Sequence, residues 1–158
     1  MSASEVLALA FLIGVIAGLR SLTAPAVVAW ASRLHWLNLH DSPLSFMGSA
    51  ATVALFSLGA LGELVLDKLP STPSRTAPAG LIFRGLFGGL AGAAVASSGS
   101  QPIALGAMFG VAGGIAGAFG GYEVRTRLVR ALKIPDFVVA CMEDAVAIGA
   151  GLFIVSRF

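Results

Sequence analysis

A chain of 158 residues that is 57% hydrophobic and only 11% charged, with a mean hydropathy of +0.92, is no ordinary soluble domain, where about 25% of residues carry charge. Its single cysteine excludes an intrachain disulfide and a cysteine metal cluster; the net charge of +2 says nothing about nucleic acid, and no run of alternating aromatic and basic residues suggests such a partner. At about 20 residues per crossing, the length accommodates one integral membrane domain, residues 1–158, of about five spans.

The opening MSASEVLALA has neither a positive n-region nor a small-residue cleavage site, so it reads as part of the first span, residues 5–19. The text then changes to Gly18-Leu19-Arg20-Ser21-Leu22-Thr23-Ala24-Pro25, which joins a glycine, a charge and a proline. Thr23 suits an N-cap, with Pro25 in the first turn of a new helix. That helix, residues 24–34, is too short to cross a bilayer and is expected to be a half-helix, re-entrant or interfacial. The loop HWLNLHDSP closes it.

A second span is expected at 44–66, followed by the polar loop 67–79. A third at 81–96 and a fourth at 103–120 are joined by SSGSQP. Their glycines recur every four residues, as in Gly88/Gly92 and Gly106/Gly110/Gly114, a spacing that lets helix backbones approach closely in lipid. No strand precedes these glycines, so they are not a phosphate loop. A second half-helix at 122–133 then leads to the last span, 137–155.

The expected fold is therefore all-α, a polytopic transmembrane bundle of about five spans plus two broken or half-length helices. Its two ends resemble each other: Ile16-Ala17-Gly18 matches Ile115-Ala116-Gly117, and Pro43 aligns with Pro135. With 5–66 and 103–156 as units and 81–96 as the linking span, this reads as an inverted repeat, an architecture that places transport sites where the units meet. Counting Lys and Arg at span ends groups Lys68, Arg75, Arg84, Arg125, Arg127, Arg130 and Lys133 against Arg20, Arg33 and Arg157. The positive-inside rule then puts the first group, and the N-terminus with it, in the cytoplasm of a bacterial inner membrane.

Glu143 and Asp144 are adjacent acids inside the last apolar span, where lipid offers no solvation. Ionisable groups at such depth point to ion or proton pathways. They equally suit a structural role as partners for arginines on neighbouring helices. Adjacent helical residues diverge by about 100°, so one is expected to face a site and the other to hold an arginine. The repeat places both opposite Ala51 and Thr52. Arg20 is their natural counter-ion, or else snorkels to the headgroups, while Glu123 marks the second break. Around Arg20, the hydroxyls of Ser21 and Thr23 and the free N–H groups of the half-helix suit an anion, or simply form a capped helix start.

Glu63, Asp67 and Lys68 read as an interfacial ion-pair network. Arg75 and Arg84 are candidate contacts to a phosphate or lipid headgroup. Arg125, Arg127, Arg130 and Lys133, backed by Val124, Leu128 and Leu132, should lie on anionic cytoplasmic lipid. No metal or cofactor site is expected. His35 and His40 share a loop with Asp41 but lack any enzyme motif around them.

The phrases GLRSLTAPAVVAWA, LGELVLDKLPSTPSRTAP and GGYEVRTRLV…EDAVAIG resemble a bacterial inner-membrane family catalogued as domain of unknown function 4126. The resemblance covers nearly the whole chain and implies a small polytopic membrane protein with no established activity. The expected function is a small channel or transporter for an ion, proton or small solute, working as a homo-oligomer. A lipid-headgroup-binding enzyme or translocator, or a structural subunit of a membrane complex, are the alternatives.

Overall fold

A computed structural model describes residues 1–66 and 77–158; the expectations for Asp67, Lys68 and Arg75 fall outside them. Its helices are α1 (Ala3–Leu19), α2 (Thr23–Arg33), α3 (Ala50–Leu66), α4 (Pro78–Ser98), α5 (Ile103–Leu132) and α6 (Asp136–Val155), with a 3-10 turn at Ser45–Gly48. No strand occurs among the described residues. α4, α5 and α6 are long and apolar enough to cross a membrane, while α1 and α3 are apolar but shorter.

Glycine builds the core of the bundle, where α1, α4 and α5 meet. A Cβ placed on Gly110 would lie 2.1 Å from the Gly88 carbonyl oxygen, and one on Gly14 would lie 2.2 Å from that of Gly110. Only glycine permits backbones this close, and the gain is dispersion contact along both helices. None of the chain's 20 glycines adopts positive φ; the left-handed positions fall on His35, Ser100 and Lys133. Glycine here serves helix approach, not turns.

Pairing along the chain gives the directions of the helices. Gly14 meets Gly110 and Gly18 meets Gly114, so α1 and α5 run parallel. Gly88 meets Gly110 and Gly92 meets Gly106, so α4 is antiparallel to both. α2 doubles back beside α3: Leu22 packs on Gly59, the Trp30 Nε1–H donates to Ser57 Oγ at 2.9 Å, and Ser32 touches Gly48. α1 and α2 thus form a helical hairpin with its tip at Arg20–Leu22. Its base holds the N-terminus, where Val6 packs on Gly99, and the loop after α2, where the Asn38 N–H donates to Ser98 Oγ at 3.1 Å.

Three expectations are corrected. α5 is continuous over 30 residues, about 45 Å long, so the half-helix at 122–133 does not exist as a separate element. Gly120 and Gly121 do not interrupt it, because the backbone hydrogen bonds of a helix survive glycine at a modest cost. The inverted repeat fails with it: the matched segments around Gly18 and Gly117 lie side by side on parallel helices. The N-terminus does not share an end with Arg84 and Arg125; it lies at the hairpin base, across the bundle from them.

α2 itself is packed inside the bundle. Every residue of Thr23–Ala29 is buried, as are Ala31 and Ser32. With no polar face to offer water, this helix is stable only inside the bundle.

Candidate functional site

Four of the described charged side chains, Arg20, Glu63, Arg84 and Asp144, converge at the hairpin tip. α1 ends because Arg20 adopts an extended conformation (φ −140°, ψ 109°) after its N–H closes the last turn on the Ile16 carbonyl at 2.8 Å. α2 restarts at Thr23, with Pro25 in a first turn that needs no N–H from it. Leu22, not Thr23, occupies the N-cap position, and no side chain of α2 caps the helix.

The cap comes from another helix. The Ser21 N–H donates to Glu63 Oε1 at 2.7 Å and the Leu22 N–H to Glu63 Oε2 at 2.8 Å. A carboxylate here gains two charge-assisted bonds and faces the positive end of the α2 dipole. The tip does cradle an anion, and that anion is the protein's own Glu63. Glu63→Gln leaves a single acceptor for two donors, so the detergent-solubilised variant should lose about 1.5–3 kcal/mol of stability. Thermal unfolding followed by circular dichroism measures this; an unchanged transition would remove Glu63 from the account.

Two arginines complete the tip. Arg20 is fully buried, with Nη2 at 2.6 Å from Asp144 Oδ1 on α6. Arg84, on α4 and 4% exposed, donates from Nη1 to Ser21 Oγ at 3.1 Å. Hence α3, α4 and α6 each send one charged side chain to the same three-residue turn. Asp144 lies about 12 Å along α6 from its start, and Arg84 about 9 Å along α4. The cluster sits well inside the ends of both helices.

A second tier lies beside it. The Arg125 guanidinium grips Asp136, with Nε to Oδ1 at 2.8 Å, and reaches Glu143 Oε2 from Nη1 at 3.5 Å. The adjacent acids therefore diverge as helix geometry demands, yet both hold an arginine: Asp144 turns to Arg20 in the hairpin tip and Glu143 to Arg125 on α5. Glu123 is not part of this set. It pairs with Arg127 one turn on, at 2.7 Å, both exposed on the outside of α5. Arg130 is also exposed there. Thr52 lies toward the hairpin base, its hydroxyl 2.9 Å from Ser49 Oγ at the start of α3, away from the acids.

Sequence reasoning paired Arg20 with the acids, as the structure does for Asp144, but gave Arg84 and Glu63 other roles. Arg84 was expected to meet lipid and Glu63 to sit in an interfacial network. In the sequence Thr23 reads as the helix's own cap, so nothing local pointed to an acceptor from elsewhere. Among the described residues no group of three or more His, Cys, Asp or Glu could hold a metal.

The family model described as a domain of unknown function (DUF4126) matches residues 7–156. No curated protein and no solved structure matches the chain.

Proposed function

The chain belongs to the DUF4126 family, and we propose that it is a small multi-pass transporter or channel moving a proton or small ion past the charged tip of the α1–α2 hairpin. One observation carries the reading: a non-helical turn, held by Arg20, Arg84, Glu63 and Asp144, inside a bundle whose helices are built for lipid. Irregular backbone persists at membrane depth only where protein buries it or water reaches it. Intramembrane carboxylates paired with arginine are the groups that exchange partners when a proton or ion passes. Glu143 and Arg125 extend the same path toward the protruding end of α5.

The positive-inside rule places the Arg84 and Arg125 end in the bacterial cytoplasm, and the hairpin base with the N-terminus opposite. Arg127 and Arg130 then rest on anionic headgroups. The lipid-facing leucines of α3, Leu55, Leu58 and Leu61, supply a surface for a second copy.

Purified protein in liposomes carrying a pH-sensitive dye tests this. A proton or cation gradient should dissipate faster than in protein-free vesicles, and Asp144→Asn should slow it at least about tenfold, a loss typical of a removed proton-transfer group. Dissipation no faster than in empty vesicles would sink the transport reading.

A specific observation favours a second reading, a lipid translocator. A cleft of about 430 Å3 between α1, α5 and α6 is walled by apolar residues such as Val15, Leu128 and Val146, with Arg125 and Glu143 at its polar edge. Movement of labelled lipid between leaflets, with no ion flux, would favour it.

A further inference from the structure

The hairpin base carries a second cavity, about 540 Å3, with polar groups in its wall, which the transport reading does not use. It forms because α2 ends in a reversed turn. The Trp36 N–H donates back to the Ala31 carbonyl at 2.8 Å and the His35 N–H to that of Ser32 at 3.2 Å, which holds His35 at φ 63°. Glycine usually fills that left-handed position, which side chains with a Cβ adopt at a cost. The turn brings His35 against His40, their rings edge to face at 5.7 Å.

The remaining walls are fixed by packing. A Cβ on Gly48 would lie 2.9 Å from Ser32 Oγ, so the 3-10 turn seats directly on the last turn of α2. Trp30 is pinned by its bond to Ser57. Arg33 reaches the Gly48 carbonyl from Nη1 at a long 3.4 Å and lines the cavity with the hydroxyl residues Ser32, Ser45 and Ser49.

This wall donates and carries positive charge. It combines a guanidinium, two imidazoles and three hydroxyls, and among the described residues lining it there is no carboxylate. Asp41, although next to His40 in the chain, is not part of it. Trp30 and Trp36, 46% and 44% exposed at this end, mark the level where indoles meet lipid headgroups.

We propose that the cavity binds a phosphate group, either free or on the headgroup of an anionic phospholipid, between Arg33, His35 and His40. Phosphate matches it because several acceptor oxygens can take donors from three directions at once, and arginine meets them in fork geometry. Leu34, 54% exposed beside the opening, offers acyl chains an apolar neighbour. The site stands at the far end of the hairpin from the charged tip and does not depend on transport.

The test uses the full chain in two arms. In detergent, calorimetric titration with inorganic phosphate should show saturable binding. In parallel, protein purified from membranes containing phosphatidylglycerol and phosphatidylcholine should retain phosphatidylglycerol. Either result supports the site, the first assigning free phosphate and the second the headgroup. Arg33→Gln should weaken the observed binding at least about tenfold, as expected for one charge-assisted bond lost. His35→Asn with His40→Gln should weaken it too; asparagine keeps the left-handed turn foldable. Arg157→Gln, at the C-terminus, should change nothing. Absence of both ligands from wild-type protein, or binding indifferent to Arg33→Gln, would overturn the proposal.

Discussion

Asp144→Ala should cost about 3–5 kcal/mol of stability, the usual loss when one partner of a buried ion pair is removed. Arg20 is fully buried 2.6 Å from the Asp144 carboxylate, so the variant deprives a buried guanidinium of that counter-charge. The cost should be graded. Asp144→Asn keeps an oxygen to accept from Arg20 and should lose less. Arg20→Met combined with Asp144→Leu removes both charges, and should recover most of what Asp144→Ala loses. Unfolding of detergent-solubilised protein, read by circular dichroism, gives all three values. Equal losses for the single and double variants would mean that packing, not charge pairing, dominates at this position.

Gly110→Val should be the most damaging single change away from charge, at roughly 3 kcal/mol or more. Its Cβ would lie 2.1 Å from the Gly88 carbonyl oxygen and 3.1 Å from Gly92 Cα, and both obstacles are backbone. No rotamer relieves such a clash; α4 and α5 must separate, and the contacts along both helices weaken together. Gly120→Ala and Gly149→Ala are the matched controls. A Cβ at either meets nothing within 4 Å, so both should be neutral or gain up to about 1 kcal/mol from helix propensity. The same unfolding experiment separates the two groups, and equal effects at Gly110 and Gly149 would dismiss the glycine core.

Much of the architecture was legible because it rests on local signals. Glycines at four-residue spacing announced close helix packing, and the Gly18–Pro25 text announced a break and a short helix. The break expected between residues 120 and 122 is absent. Gly120 and Gly121 sit inside a continuous α5, since a helix tolerates glycine when its neighbours need the room. The repeat was drawn from small residues that recur for packing reasons, and their parallel contact at Gly18 and Gly117 removes the inversion. At the site, Glu143 and Asp144 were visible as ionisable groups in lipid, and their divergence followed from helix geometry. Their partners were harder. Glu63 caps a helix 41 residues away, and Arg84 meets Ser21 across 63 residues of chain. No local pattern encodes a contact that only tertiary packing creates.

Proton flux through the Arg20→Met/Asp144→Leu double variant in liposomes tests the central claim most directly, because that variant should keep its fold while losing the buried Arg20–Asp144 pair at the tip. Dissipation reduced to the level of protein-free vesicles, with stability near wild type, is the expected result. A folded double variant that moves protons at the wild-type rate would show that the charged tip only holds the hairpin in place.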